Sequence, residues 1–587
     1  MSDPGPSRRA DARAEAQVGV DISERLLSPL HHSSFTMPAA PPNVSSIRKA
    51  AEGSKRSAEA LSLQRDNTLP IVSNRALEPE DESQYEIPPG VDTPWTFGSF
   101  IRYFGPGWLV CIAYVDPGNY QADIQSGAQT GYSQNWVILW TQLLSWYVQY
   151  MCVKLQHYTN TNLAEAMALQ YPKYVRWMFW VIAEVSIILT DLPEVIGFAI
   201  AIHLFNPSVP LYAGVLLSFL TTMLFLATLH KGSYFIELTA CALVVIMSIV
   251  LFVEWDMSPT NSEDFLKGAF LPILPMTPGA IQSIIQIIGA VVMPHNLYLH
   301  SGALETRRCP PVDAYKRQAV KLGLWDPFIP ILSTTVVNWA IASLAAIYVY
   351  GKNIPDADGL GIASFPKYLD VKGGTIMWGI ALIAAAQSSC ITTTYSGQFV
   401  MDGFLKINIP KWSRAIITRC VAVVPCVAVA AAFTNDTKAL ETMVDIVNSS
   451  LAFLLPFALI PLVKLTCSKQ YMGEDYVAGK IETVVISLAT LLCFGINFYT
   501  LVAPGGDYFG QYTSDMNIVG VQMNIVQDIV CIFYTACCVY MTFVPVRGSP
   551  LPIRKSLKPV DEEEEHAVAA TDSMSDQKKA IVEMGKK

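Results

Sequence analysis

Apolar stretches of about 20 residues, each long enough to cross a bilayer as a helix, recur through the middle of the chain. Twelve are placed near 102–131, 133–154, 174–204, 211–230, 233–254, 280–306, 324–350, 372–405, 412–433, 440–466, 478–502 and 520–545. The flanks break this pattern. Residues 1–95 are rich in Ser, Pro and Ala with scattered charge, and 548–587 are polar. Both flanks read as disordered tails around a transmembrane domain over 96–547. The first has no apolar h-region and so does not read as a secretory signal peptide.

Two of the apolar spans are interrupted by residues that a membrane helix avoids. The first span contains Ala113-Tyr114-Val115-Asp116-Pro117-Gly118-Asn119. Pro117 removes a backbone donor and Gly118 loosens the chain, so the helix is expected to open there. Carbonyls freed at membrane depth are tolerated only where they line a site. Asp116, costly in lipid, is by default functional. A kinked helix with a snorkelling acid would account for this segment alone, but the sixth span repeats the frame. There Ala290-Val291-Val292-Met293-Pro294-His295-Asn296 again places Ala, two residues, a possible ligand, Pro, one residue and Asn in order. Interrupted helices at matching positions of two halves point to a transporter binding site.

Composition sharpens the class. Only 15% of residues are charged, against about 25% in soluble proteins, which fits a polytopic, all-α membrane protein. The net charge of -9 says little, because Asp561-Glu562-Glu563-Glu564-Glu565 lies in a tail. Basic clusters are short and fall between spans, which argues against nucleic acid as a partner and leaves the lipid bilayer. The cysteines, such as Cys111, Cys241, Cys420 and Cys531, fall mostly in spans and form no C-x-x-C pair. Neither a disulfide framework nor a zinc site is expected. Lys154, Lys173, Arg176, Lys231, Arg307, Arg308, Lys316, Arg317, Lys321, Lys406, Lys411, Lys464 and Lys469 fall in one set of loops. The alternate set holds only Lys267, Lys352, Lys367, Lys372 and Lys438. Positive-inside reasoning puts the first set and both termini in the cytoplasm. The sequon Asn435-Asp436-Thr437 falls on the outer side, in a loop too short to be a good acceptor.

The chemistry gathers at the two interruptions. Asp116 and Asn119 offer hard oxygens, and Met293 offers a soft thioether at the equivalent place. Sodium has no use for sulfur, and magnesium and calcium want all-oxygen shells. The mixture tilts toward transition metals, with the carbonyls of Ala113 and Ala290 available to complete a shell. A Met in an apolar helix usually packs; the register of Met293 with Asp116 favours a ligand. His295 and His300 are candidate proton carriers or satisfied interior histidines. Glu184, Asp191 and Glu194, at i, i+7 and i+10, share one helix face. They read as a proton relay, as salt-bridge partners of Arg419, or as both. Asn448-Ser449-Ser450 either faces the site or bonds between helices.

These segments resemble the Nramp (natural-resistance-associated macrophage protein) family of proton-coupled divalent metal transporters. The matching motifs are Asp116-Pro117-Gly118-Asn119, Met293-Pro294-His295-Asn296 and Thr190-Asp191-Leu192-Pro193-Glu194-Val195-Ile196-Gly197. Gln387-Ser388-Ser389, Thr394 through Phe404, and Leu455-Pro456-Phe457-Ala458-Leu459-Ile460-Pro461 also match, over about 97–545 in all. The resemblance implies a LeuT-like fold of twelve helices, with five-plus-five inverted repeats and discontinuous helices 1 and 6. It implies that Asp116, Asn119 and Met293 bind the metal, with the Ala113 and Ala290 carbonyls and Asn448 contributing. It assigns His295, Glu184, Asp191, Glu194 and Arg419 to a proton and salt-bridge network. Thr393 stands where the family usually has Gly, Leu454 replaces a common Gln, and Asp326-Pro327 in the seventh span is unusual. The retained Met293 argues against the family's magnesium-selective branch.

The expected function is therefore non-enzymatic: proton-coupled import of Mn²⁺, Fe²⁺ and Cd²⁺ into the cytosol, with no cofactor. The membrane would be the plasma membrane or an endosomal or vacuolar one. A metal sensor that has lost transport would need no proton path. A sodium-coupled amino-acid carrier would not want Asp116 in the way of a substrate carboxylate.

Overall fold

The computed structural model describes residue 100 and residues 103–547, apart from 228–232, 274, 276–277, 308–312, 355–359, 406–410, 433–436 and 503–519. Both expected tails, and Asn435 and Asp436 of the sequon, lie outside the described residues. Everything described falls within one compact unit, Arg75–Lys587.

A helix or a pair of half-helices stands at each of the twelve expected spans, and the described residues contain no strand. The first span is α1 (Pro106–Cys111) and α2 (Pro117–Thr130), joined through a 3-10 turn over Ile112–Tyr114. Then come α3 (Asn135–Thr159), α4 (Leu163–Gln170), α5 (Lys173–Phe205), α6 (Leu211–Ala227), α7 (Ser233–Asp256) and α8 (Ser262–Phe270). The sixth span is again split, into α9 (Pro278–Val291) and α10 (Pro294–Ala303). The rest are α11 (Asp313–Trp325), α12 (Phe328–Tyr348), α13 (Gly374–Leu405), α14 (Lys411–Ala432), α15 (Thr437–Leu454), α16 (Pro456–Thr466), α17 (Lys469–Met472), α18 (Lys480–Val502) and α19 (Gly520–Phe543).

Six stretches of the described residues are long and apolar enough to cross a membrane, among them Lys173–Phe205, Gly374–Leu405 and Lys438–Thr466. Large apolar side chains such as Leu224, Val424, Leu488, Leu492 and Ile532 point outward, while Asp116, Asp191, Glu194 and Arg419 are buried. That inverted distribution suits a lipid solvent, and the chain is an integral membrane protein.

The structure corrects the sequence expectation in three places. α4, α8 and α11 lie in stretches read as loops; α4 opens on a capping box made by Asn162 and Glu165. The tenth span divides at Leu455, where Pro456 takes the first helical position of α16. Asp326-Pro327 is not inside the seventh span but between α11 and α12. There Asp326 accepts from the backbone N–H groups of Gly105 (3.1 Å) and Gly107 (2.5 Å), and so caps α1, whose first residue, Pro106, has no N–H to offer. Arg307 donates to the carbonyls of Tyr103 (2.8 Å) and Phe104 (3.1 Å) just before it. The entry to the first span is thus held by two buried charges.

The broadest helix pairing is α5 with α13; α2 packs on α12 and α9, and α9 packs on α15. Two glycines bring the interrupted helices close. A Cβ at Gly197 would lie 2.6 Å from Cγ of Pro117, so only glycine lets the first break press on α5. A Cβ at Gly289 would lie 1.9 Å from the carbonyl oxygen of Asn448, so α9 and α15 meet backbone to backbone there.

Candidate metal site at two helix breaks

The first break follows from its sequence. Asp116 is extended (φ -83°, ψ 171°) and caps α2, with Pro117 at the first helical position. One carboxylate oxygen, Oδ1, accepts from the Asn119 backbone N–H at 2.7 Å and from Asn119 Nδ2 at 3.0 Å. The same Nδ2 reaches the carbonyls of Ala113 (3.2 Å) and Ala290 (3.0 Å). Three oxygens, one of them from the second break, thus converge on a nitrogen that has two hydrogens to give. Such a convergence of helix-end carbonyls and a carboxylate is a cation's environment. Turning the Asn119 amide over would present its oxygen to the same point and leave four oxygens there.

The second break is built differently. Met293 is extended (φ -80°, ψ 137°) ahead of Pro294 and makes no side-chain capping bond. It is 1% exposed, so its thioether sits dry at the end of α10. Asn448 of α15 joins the site from the side. Its Nδ2 donates to the Gly118 carbonyl at 2.8 Å, while its Oδ1 is buried without a hydrogen-bond partner among the described residues. The structure therefore assembles Ala113, Asp116, Asn119 and Ala290 by direct contact, with Asn448 on the first turn of α2 and Met293 at the head of α10.

Beside this lies a polar cluster on α5. Asp191 Oδ1 pairs with Arg419 Nη1, both side chains 1% exposed. Glu194 Oε1 accepts from Ser389 Oγ at 2.7 Å and Thr393 Oγ1 at 2.5 Å, both from α13. Cys390 brings its sulfur to the same place, with donor atoms of Asp191, Glu194 and Cys390 all within 4.8 Å of one another. Glu184 does not join them. It is half-buried and bonded to Trp180 of its own helix at 3.0 Å, about 10 Å along the axis from Asp191 at 1.5 Å per residue. The common face read from the spacing gathers two acids, not three.

The two histidines part company. His295 Nδ1 meets Thr190 Oγ1 at 3.2 Å, beside Asp191, and its carbonyl accepts from Ser396 at 3.2 Å. His300 Nδ1 meets Gln149 Oε1 at 2.9 Å. Gln149 Nε2 and Ser145 Oγ both donate to the Tyr114 hydroxyl at 2.7 Å. His300 thus belongs to a polar chain that ends at the first break from the α3 side. Each imidazole keeps a buried Nε2 without a partner among the described residues. On the far side of the site, Asp445 of α15 takes Gln121 at 2.9 Å and Gln125 at 2.6 Å, both from α2.

Sequence reasoning missed Tyr114, Gln149, Ser389 and Asp445 as members of these networks. Ser389 stands in a motif quoted for the resemblance, but only the pairing of α13 with α5 reveals its partner. Nothing local marks Gln149, whose partners Tyr114 and His300 lie on other helices, or Asp445, whose partners lie more than three hundred residues away, except that each is a polar residue in a span.

Residues 107–503 match the family described as natural resistance-associated macrophage protein-like. The chain is 35% identical over 455 residues to the metal transporter nramp1 homolog of Dictyostelium discoideum, covering 74% of this chain and 83% of that one. It is 32% identical to protein Malvolio of Drosophila melanogaster, covering 73% and 76%. In fold it is similar to the crystal structure of the Eremococcus coleocola manganese transporter, with a TM-score of 0.69 at 25% identity, over 81% of this chain and 98% of that one. With a family match spanning both breaks and relatives of the same family covered over most of their length, this chain is a member of the Nramp family of transporters.

Proposed function

We propose that the protein is a secondary active importer of divalent transition metals, Mn²⁺ and Fe²⁺ and also Cd²⁺, driven by protons moving into the cytosol. The observation that carries this reading is the convergence of Asp116 Oδ1 and the Ala113 and Ala290 carbonyls on one point between the breaks. The relatives named as metal transporters, and the manganese transporter of similar fold, support a divalent metal as substrate. Asp116 and Asn119 supply hard ligands, Met293 the soft one and Asn448 a further oxygen, a donor set that favours transition metals.

In this mechanism the metal enters from outside and displaces the Asn119 amide nitrogen from its three oxygens. A proton passes by Asp191, Glu194 and His295, separately from the metal. Glu184 and His300 lie on the margins of that route. Arg419 pairs with Asp191 and holds it in place. Rocking of one helix bundle against the other then opens the site to the cytosol, where both termini lie. The membrane is the plasma membrane or an endosomal or vacuolar one.

Uptake into proteoliposomes under an imposed pH gradient, with a panel of divalent ions, tests the reading. Acid outside should accelerate Mn²⁺ uptake in wild type, and Asp191→Asn should weaken the link between metal and proton flux. Metal transport that moves no protons and ignores external pH would show the coupling to be wrong.

A further inference from the structure

We infer that Thr393 is a positioning residue for proton movement, a hydroxyl rotor that satisfies Glu194 in both of its charge states. The inference rests on the proton-coupled reading above and extends it to a residue that this reading does not use. Thr393 Oγ1 has two acceptors within reach but only one hydrogen: Glu194 Oε1 at 2.5 Å and the carbonyl of Ser389, one turn back on α13, at 2.9 Å. With Glu194 ionised, the Thr393 hydroxyl donates to Oε1 alongside Ser389 Oγ. With Glu194 protonated, the Thr393 hydrogen turns to the Ser389 carbonyl, and its lone pair accepts the new carboxyl O–H. In neither state is Thr393 Oγ1 or Glu194 Oε1 left unmet, which at such depth would cost about 1–3 kcal/mol.

The proton balance is closed. A proton from the outer solution forms an O–H bond at Glu194, and that bond breaks when the proton passes inward, so the carboxylate is restored each cycle. The carried proton rests on Glu194 Oε1, the oxygen that faces Thr393, and the Asp191 carboxyl, which lies against Glu194, is the neighbour that can pass it on. The charged or titratable groups facing Glu194 are Asp191 on its own helix, Asp116 at the first break and Cys390 on α13. Arg419 and Cys426 of α14 face it as well, and His295 of α10 reaches Thr190 one turn away. None of these contacts Glu194 Oε1 by a hydrogen bond, whereas Ser389 and Thr393 do. α6 contributes the neutral Thr222, which meets Arg419 at 3.4 Å.

The test is the external-pH profile of Mn²⁺ uptake into proteoliposomes for wild type, Thr393→Val, Thr393→Ser and Ser389→Ala. Mn²⁺ binding to each purified protein, measured calorimetrically, checks that the site remains folded. Val has the shape of Thr without the hydroxyl. Val loses one bond in each charge state, but the bond to the ionised carboxylate is charge-assisted and the stronger of the two, so the protonated form gains and the midpoint of the Thr393→Val profile should move up by about one pH unit. Thr393→Ser should keep the wild-type midpoint. Ser389→Ala should shift the midpoint in the same direction, since it removes the other donor to Glu194 Oε1. A Thr393→Val profile that overlies wild type, with Mn²⁺ binding intact, would overturn the inference and leave proton coupling standing. So would a Ser variant as shifted as the Val variant. A wild type indifferent to external pH would overturn the coupling itself, and with it this role.

Discussion

The two helix breaks share a sequence frame and differ in how each is finished. At the first, the capping residue is a carboxylate that receives two N–H groups from Asn119, and the amide ties three oxygens together. At the second, the capping residue is Met293, which makes no capping bond, and the Ala290 carbonyl finds its donor across the gap in Asn119. The first break satisfies itself; the second depends on the first. The same Pro-initiated half-helix has thus been given a hard, hydrogen-bonded end in one half of the molecule and a soft end in the other. On the proposed reading, a metal between them meets oxygen from one end and sulfur from the other.

The largest effect should come from removing the only charge at the breaks. Asp116→Ala should lower Mn²⁺ uptake by at least about 100-fold, near 2.8 kcal/mol at about 1.4 kcal/mol per decade, with insertion and folding retained. The lost cap should cost α2 only about 1 kcal/mol. Uptake at wild-type rates would remove Asp116 from the site. Asn119→Ala cuts the hydrogen bond from Asn119 to the Ala290 carbonyl across the breaks and should come next, with uptake down roughly 10-fold and Mn²⁺ binding weakened in parallel. A variant that transports normally would mean that the convergence on its amide is incidental. Asn448→Ala should be the mildest. It removes one neutral hydrogen bond to Gly118, about 1 kcal/mol, and uptake should fall by roughly five-fold with the order of metal preference unchanged. A changed preference order would make Asn448 a selector instead of a support.

Much of this comparison was legible in the chain. Pro, Gly and an acid inside an apolar run announce a break through backbone chemistry alone, and the repeat at Met293 needed only spacing. The twelve spans were readable because lipid imposes length and hydropathy on every crossing helix. Partner choice was not readable. Asp326 reads as an oddity in a span until α1 is placed against it and its two oxygens meet Gly105 and Gly107. Thr393 reads as a packing substitution for glycine, yet it faces Glu194, 199 residues away in sequence. The spacing of Glu184, Asp191 and Glu194 overreached, because helical phase fixes direction but not which neighbour supplies Arg419 or two hydroxyls. The short helices α4, α8 and α11 were missed because each is too short or too polar for the membrane pattern. Even so, Asn162 and Glu165 carried a capping-box signal for α4.

The central claim is that the soft end of the second break supplies selectivity that the hard end of the first cannot. Competition of rising Ca²⁺ against Mn²⁺ uptake, in wild type and Met293→Ala, tests it most directly. Asp116 and Asn119 would hold either ion, whereas a thioether gives Ca²⁺ almost nothing. A tenfold change in discrimination corresponds to about 1.4 kcal/mol, within reach of one soft ligand replaced by water. The account predicts that Met293→Ala retains Mn²⁺ transport, becomes about tenfold more sensitive to Ca²⁺, and loses Cd²⁺ uptake disproportionately. A Ca²⁺ inhibition curve and a Cd²⁺ uptake rate both unchanged from wild type would contradict it and reduce Met293 to packing.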